Sequence, residues 1–312
     1  SNTSMNSAGD APFWRGQDDI VITGVSGRFP RSDNVAEFGE YLFAGEDLIT
    51  EDDLRWPPGY YDLPKRHGKL KDLKKFDAQF FGVTPKQANY MAPQVRLLLE
   101  VAYEAMIDAG INPQELRGTK TGVFVGCSAS ETGGALTQDP ETVTGYTLTG
   151  CVRSMFSNRL SFAFDLRGPS FSVDTACSSS MCAFQLAIDA MRQDQCDAAI
   201  VAGAHLTLTP TAALQFLRLG MLSDKGSCRS FDESGDGYCR TEGVAAILLQ
   251  RAPNAKRIYA TVVHAKSNTD GYKEQGITFP SGERQAALLE EVYREANVDP
   301  NQVTYVETHG TG

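Results

Sequence analysis

One cysteine lies in a context that favours nucleophilic chemistry. The stretch SFSVDTACSSSMCAFQLAI, residues 170–188, predicts a β-strand that turns sharply into a helix, with Cys177 at the corner. Helix-start N–H groups and the positive end of the helix dipole favour a thiolate over a thiol. An unperturbed cysteine, with a pKa of about 8.5, is only about 3% ionised at pH 7, so a lower pKa would speed its attack. The serines at 178–180 are small enough to admit a substrate and can cap the helix. A buried structural cysteine is the alternative interpretation.

A histidine follows at the end of the sequence. The stretch VTYVETHGTG, residues 303–312, predicts a strand that runs into a glycine-flanked turn, with His309 at the mouth of the turn. A histidine after a strand can simply be a structural hydrogen-bond partner, but with an activated cysteine it can form a catalytic pair. We therefore take Cys177 and His309 as candidate catalytic residues. No motif surrounds the other three histidines, His67, His205 and His264.

A third stretch, SFDESGDGYCRTEG at residues 230–243, begins like a calcium loop. Asp232 and Asp236 fall at the first and fifth positions of an EF-hand pattern. The pattern then fails, because its last position is Gly243 and Glu242 comes one residue early. The sequence also lacks a C-x-x-C pair, an H-E-x-x-H motif and a complete glycine-rich nucleotide loop. We therefore expect no metal or redox cofactor.

Short apolar runs alternate with longer segments of helical period, which is the pattern of α/β layering. The predicted strands are 19–24, 121–126, 170–174, 198–204, 244–250, 258–266 and 303–308. The predicted helices are 35–43, 93–108, 153–164, 178–193, 210–217 and 283–296. Apolar residues spread around most of helix 178–193, so we expect it to be buried between sheets.

Composition excludes several classes of function. The chain has 312 residues and 41% apolar content, which suits a folded globule. Its net charge of -10 disfavours nucleic-acid partners and anionic membranes. Seven cysteines, an odd number, suggest free thiols in a reducing compartment. With no apolar run near membrane length and no signal-peptide pattern, we expect a cytoplasmic protein. Residues 1–17 are predicted to be a disordered tail.

Taken together, these strings resemble the β-ketoacyl synthase (ketosynthase) domain of animal type I fatty acid synthases and related polyketide synthases. DTACSSS is similar to the active-site signature, and HGTG to the turn that presents a catalytic histidine. NRLSFAFDLRGPS and NTDGYKEQGITFPSG look like the animal lineage. The resemblance implies a thiolase-like fold of α-β-α-β-α layers built from two similar halves. Residues 18–257 would be the N-terminal half and 258–312 the start of an incomplete second half, ending before the family's second catalytic histidine, its lysine and a Gly-Phe-Gly-Gly loop.

The resemblance also implies a reaction and roles for individual residues. The reaction is a decarboxylative Claisen condensation of an acyl-cysteine thioester with a malonyl- or methylmalonyl-carrier thioester. Cys177 would carry the acyl group, and His309 would support decarboxylation and stabilise the enolate. A support network beside the site would comprise Asp232, Asp236, Arg240 and Glu242. The substrate pocket would include Phe156, Phe216 and Met221.

The partners implied are an acyl carrier domain with its phosphopantetheine arm, an acyltransferase domain of the same synthase and a second copy of the chain. No nucleic acid or membrane partner is expected. A basic cluster is a candidate carrier-docking face or a solvated surface: Lys65, Arg66, Lys69, Lys71, Lys74 and Lys75. Two alternative functions stay open: a thiolase, which condenses without decarboxylation, and a catalytically silent scaffold or dimerisation module. The choice between fatty acid and polyketide products also stays open.

Overall fold

The structure is a computed structural model that describes residue 16 and residues 18–128, 130–141 and 143–311. The predicted tail, residues 1–17, lies outside the described residues except for Gly16. Within them, one sheet is formed by β1 (Ile20–Arg28), β2 (Thr121–Cys127), β3 (Ser170–Val173), β4 (Ala198–His205), β5 (Gly243–Arg251) and β6 (Ala260–Val262). The strand order is β3-β2-β4-β5-β1-β6. Strand β2 is parallel to β3 and β4, whereas β5 pairs antiparallel with β4 and β1, and β6 pairs antiparallel with β1.

The described helices are α1 (Val35–Ala44), α2 (Pro85–Asn89), α3 (Pro93–Asp108), α4 (Glu131–Leu136), α5 (Gly145–Cys151), α6 (Ser154–Phe164), α7 (Ser179–Arg192), α8 (Pro210–Arg218) and α9 (Gly282–Ala296). Helices α3 and α6 cover one face of the sheet, and α7 covers the other. The described residues therefore form three layers, α-β-α. All six predicted helices and the strands β1 to β5 are confirmed near their expected bounds.

Two apolar clusters hold the helices to the sheet. On one face, Leu98 and Met106 of α3 are fully buried with Leu248 of β5. On the other face, Ile188 and Met191 of α7 are buried in a second cluster. Because burying one such side chain contributes about 1.5–3 kcal/mol, both helices are fixed on the sheet by their apolar faces.

The expectation that helix 178–193 is buried all round is wrong within the described part of the chain. Helix α7 buries the face that meets the sheet, but Met181 is 63% exposed and Leu186 is 43% exposed. The helix covers one sheet face and has no layer on its other side among these residues.

The last predicted strands also differ from expectation. The strand predicted at 258–266 is shorter in the structure. Only β6 (Ala260–Val262) forms there, paired with residues 20–22 of β1. Strand 303–308 is irregular, and its Tyr305 and Val306 side chains are 75% and 62% exposed. A strand needs a neighbouring strand to satisfy its backbone groups, and the described residues offer none there.

Candidate active site

Cys177 lies at the corner between β3 and α7, on a strained backbone. Ala176 has a φ of 56°, in the left-handed region that costs a residue with a side chain roughly 1–3 kcal/mol. Hydrogen bonds hold this conformation from both sides. The Ala176 N–H donates to the Asp174 carboxylate at 3.1 Å, and the Ala176 carbonyl accepts from the Ser179 hydroxyl at 2.6 Å. The turn therefore presents Cys177 as an exposed side chain just before the helix begins.

The serines after Cys177 bond to the turn, not to the helix. The Ser178 hydroxyl donates to the Thr175 carbonyl at 2.9 Å, and the Ser179 hydroxyl accepts from the Thr175 N–H at 2.9 Å. Among the described residues, no side chain caps the start of α7. The expected capping role is therefore wrong: these serines brace the strained turn and do not accept from the first N–H groups of the helix.

Two glycines let the helix start approach the ends of the strands. A Cβ added to Gly126 of β2 would lie 2.4 Å from the Ser180 nitrogen, which is a backbone clash. A Cβ on Gly203 of β4 would lie 3.2 Å from the Ser180 side chain. Because the carboxyl ends of the parallel strands β2, β3 and β4 meet at this edge, the turn is positioned by the sheet itself.

An open cleft of about 740 Å³ lies at this edge. Its walls include the turn, the ends of β2 and β4, helix α8 and residues 240–245. Among the residues that line it are Cys127, Cys177, His205, Phe216, Arg240 and Glu242. A cleft of this size is in the range of small-molecule sites in proteins, about 300–1,000 Å³.

The three expected pocket residues lie in different places. Phe216 of α8 lines the cleft. Phe156 of α6 is 1% exposed and belongs to the core on the α3 side of the sheet, so it does not line the cleft. Met221 is also outside the lining, and its carbonyl accepts from the Tyr238 N–H at 3.0 Å.

Glu242 is a buried charge that joins three parts of the chain. Its carboxylate forms a two-bond ion pair with Arg55, with both N–O distances at 2.7 Å. It also accepts from the Leu70 N–H at 2.8 Å and from the Thr207 N–H at 3.2 Å. With its side chain fully enclosed, Glu242 fixes the backbone beyond β4 against the 55–70 segment.

The other expected members of the support network do not join Glu242. Asp232 is exposed and accepts from the Ser234 hydroxyl at 2.7 Å and from the Ser234 N–H at 2.8 Å, and these two bonds hold the pKa of Asp232 below its usual range. Asp236 is also exposed. Arg240 lines the cleft and bonds to His205. The four residues are thus divided between an exposed turn and the cleft wall.

His309 lies in the exposed, irregular C-terminal segment. Its neighbour Gly310 accepts a hydrogen bond from the Ser230 hydroxyl, which joins the turn to the 230–243 stretch. His309 is not among the side chains that line the Cys177 cleft. The structure therefore anchors the turn to the 230–243 stretch without bringing the imidazole into the cleft wall.

His205 is a cleft residue that sequence reasoning missed. It ends β4, and its Nε2 lies 2.9 Å from an Arg240 nitrogen. Burial, together with the positive charge of Arg240, lowers the pKa of His205 to about 4. The available signal was its position at the carboxyl end of an apolar strand, where α/β proteins place ligand-facing residues.

Most of the basic cluster is paired with carboxylates. The Lys69 ammonium is buried and lies 3.2 Å from Asp52, and Lys71 lies 2.8 Å from Glu37. The other ion pairs of the cluster are Arg66 with Asp47 and Lys75 with Asp72, while Lys65 and Lys74 have no ion pair in the described ranges. Four of its six members are therefore paired with carboxylates, and a role of the cluster in carrier docking stays a prediction.

Other features of the described residues bear on the class of protein. All seven cysteines are free thiols. No described helix combines the length and the apolar character that a membrane crossing requires. In the same part of the chain, no three His, Cys, Asp or Glu side chains are grouped to hold a metal ion.

Solved structures share this architecture. A ketosynthase from module 6 of the bacillaene synthase of Bacillus subtilis superposes with a TM-score of 0.86 at 34% identity, covering 94% of this chain and 51% of that one. An oxazolomycin ketosynthase domain from Streptomyces albus gives a TM-score of 0.87 at 35% identity, covering 94% of this chain and 54% of that one. The mixed sheet with helices on both faces thus has the thiolase-like fold expected from the sequence.

Residues 17–255 match the family described as "Beta-ketoacyl synthase, N-terminal domain", and residues 259–312 match "Beta-ketoacyl synthase, C-terminal domain". The chain belongs to the β-ketoacyl synthase family. It is 58% identical to a fatty acid synthase of Anser anser anser, covering 95% of this chain and 84% of that sequence. It is 38% identical to a probable polyketide synthase of Dictyostelium discoideum, covering 94% of this chain and 10% of that sequence. The resemblance to animal fatty acid synthases is confirmed, and the chain spans about half the length of the solved ketosynthases.

Proposed function

We propose that this chain is the nucleophile-bearing part of a ketosynthase that extends acyl chains by decarboxylative Claisen condensation. The observation that carries the proposal is Cys177, an exposed thiol on a strained turn that opens into a cleft at the start of a helix. Membership of the β-ketoacyl synthase family supports it. The extender is a malonyl or methylmalonyl thioester, and the product is a fatty acyl or polyketide intermediate.

The reaction has two steps. In the first, the Cys177 thiolate attacks the acyl thioester of a carrier, the acyl group moves to Sγ, and the carrier's phosphopantetheine thiol leaves with a proton. In the second, the extender thioester loses CO2 and the resulting enolate carbon attacks the Cys177 thioester. The C–S bond to Sγ breaks, and a β-ketoacyl chain remains on the carrier.

We assign two donors in this chain to these steps. The Cys177 backbone N–H, at the start of α7, would stabilise the oxyanion that forms when the acyl carbonyl is attacked. His309 would donate to the enolate oxygen after decarboxylation, together with the second histidine that the family supplies. Loss of one such donor typically costs about 2.7–4 kcal/mol of transition-state stabilisation.

The partners proposed are the acyl carrier domain, the acyltransferase domain of the same synthase and a second copy of this chain. Strand β3 supports the homodimer, since it ends the described sheet and its Phe171 side chain is 52% exposed. An unpaired strand edge is a template for pairing with another chain. We propose a cytoplasmic enzyme whose acyl groups arrive on phosphopantetheine and which uses no resident cofactor.

The experiment is intact-mass measurement of the native polypeptide that carries this chain, after incubation with an acyl thioester and then with a malonyl-carrier thioester. The proposal expects a mass gain that the malonyl thioester discharges, and no gain in Cys177→Ala. Discharge by acetyl-CoA in place of the malonyl thioester would indicate a thiolase. No gain in the unsubstituted protein would indicate a silent scaffold.

A further inference from the structure

Three side chains from separate elements meet on one wall of the cleft. They are His205 at the end of β4, Phe216 in α8, and Arg240 shortly before β5. Arg240 is the partner that the other two share. Its Nη2 lies 2.9 Å from His205 Nε2, and its guanidinium carbon lies 4.4 Å from the centre of the Phe216 ring. Cys177 lines the same cleft.

The bond between Arg240 and His205 fixes the state of the imidazole. A guanidinium can only donate hydrogen bonds, so Nε2 of His205 must accept and its proton must sit on Nδ1. The Thr207 hydroxyl lies 3.2 Å from the same nitrogen and can donate to it as well. Because burial and the Arg240 charge lower the His205 pKa to about 4, the imidazole is neutral and remains an acceptor at neutral pH.

The Phe216 ring is held from two sides. The Arg240 guanidinium covers it, and the Tyr238 ring meets it edge-on, with centroids 6.2 Å apart at an angle of 70°. Arg240 has no carboxylate ion pair in the described part of the chain. Its planar group therefore serves both the imidazole and the ring, because a cation over an aromatic face is attracted electrostatically to the ring.

We propose that the His205–Arg240 pair sets acyl-chain selectivity by holding the Phe216 ring as a fixed wall beside Cys177. The inference rests on the proposed function, and the ligand is the aliphatic chain of the acyl group carried by Cys177. An apolar chain offers no hydrogen bonds, so a site distinguishes its length by shape, at about 10- to 200-fold for each methylene group. His205 and Arg240 are positioning residues that act through Phe216.

The test measures kcat/KM for acylation of Cys177 by acetyl- and dodecanoyl-pantetheine thioesters in the native polypeptide that carries this chain. His205→Leu removes the acceptor for Arg240, whereas His205→Gln keeps an acceptor oxygen near the Nε2 position. Phe216→Leu removes the wall itself. Arg218→Ala, an exposed change on the same helix α8, is the matched control.

The dodecanoyl-to-acetyl ratio is expected to rise about tenfold in His205→Leu and in Phe216→Leu, and to stay at the starting value in His205→Gln and Arg218→Ala. A simple structural role for His205 would lower both rates without changing the ratio. An unchanged ratio in His205→Leu would overturn the inference. If that variant does not fold, an unchanged ratio in Phe216→Leu would overturn it equally. Failure of the unsubstituted protein to acylate contradicts the proposed function, which is a separate result.

Discussion

Cys177 and His309 are held in the molecule in opposite ways. The Cys177 turn is braced by Asp174 and Ser179 and rests on the ends of β2 and β4, two strands that are almost entirely buried. The His309 segment is exposed, and its described anchor is the bond from Ser230 to Gly310. No described residue after position 250 is buried. The geometry of the nucleophile is therefore fixed by the core, whereas that of the histidine depends on a few surface contacts.

The largest loss of stability is expected from removing Glu242, the buried carboxylate just before β5. Glu242→Ala leaves Arg55 without its partner, and breaking a buried ion pair in this way costs about 3–5 kcal/mol. Urea unfolding should show this loss in the free energy of unfolding. The matched change Asp232→Ala, on an exposed turn, should cost within about 0.5 kcal/mol. If the two variants lost similar unfolding free energy, the buried Glu242 would be no more important to stability than the exposed Asp232.

Acid should destabilise the folded chain through His67, a buried residue of the 55–70 segment. Burial lowers the pKa of His67 to about 4, while its unfolded value is about 6.5. The unfolded chain thus gains a proton before the folded one. Stability is full above about pH 6.5 and falls toward pH 4 by at most about 1.4 kcal/mol per pH unit for this group.

The check on His67 is His67→Phe, which keeps a ring beside Trp56, now stacked on the imidazole at 4.7 Å. Urea unfolding from pH 4 to pH 7 should show a shallower dependence on pH in the variant. An identical slope in the two proteins would remove His67 as a cause.

A smaller loss of stability is expected at the close contact between Gly126 and Ser180, at the start of α7. Gly126→Ala pushes a methyl group into the backbone at Ser180, and overpacking of this kind costs about 1–3 kcal/mol. Unfolding should report the loss, and the rate at which iodoacetamide labels Cys177 should change because the start of α7 must move. Gly134→Ala in α4 meets open space and should be neutral or stabilising. If Gly126→Ala and Gly134→Ala changed stability and Cys177 labelling equally, the contact with β2 would not be what positions the Cys177 turn.

The smallest effect is expected in the segment that carries His309. Ser230→Ala removes the hydrogen bond to Gly310, worth about 1 kcal/mol. Condensation should slow about fivefold, the equivalent of that energy, while acylation of Cys177 is unchanged. Ser234→Ala, which removes the hydrogen bonds of the Ser234 hydroxyl to Asp232 and Arg229 on the same exposed stretch, is the control. A parallel drop in both half-reactions of Ser230→Ala would mean that Ser230 acts on the whole site.

Much of the fold follows from the sequence because its elements have strong local signals. Helix α3 has an apolar face and begins at Pro93, and β2 is apolar throughout, so both were predicted. Helices α4 and α5 were missed, since each contains two glycines and has weak intrinsic helix propensity. Segment 303–308 has the composition of a strand, but pairing decides whether a strand forms.

The same contrast between local signals and tertiary contacts applies to the candidate active site. Cys177 could be found because its motif is local, running from a strand through a turn into a helix. The role of Glu242 could not be found in detail, because its partners Arg55 and Thr207 are brought to it by the tertiary fold. The His205–Arg240 contact joins residues 35 positions apart and has no local signature. A functional residue within one local motif can be predicted from sequence, whereas contacts between separate elements cannot.

The position of β1 has a consequence for synthesis of the protein. It lies between β5 and β6, so this strand, the first along the chain in the described sheet, cannot pair until residues near 251 and 262 follow. At about 5–20 residues per second, the ribosome takes roughly 12–46 s to reach β5 after β1. During that interval the apolar side of α3, which packs on both strands, has an incomplete sheet to cover it. The nascent chain is therefore expected to need chaperone protection until β5 emerges.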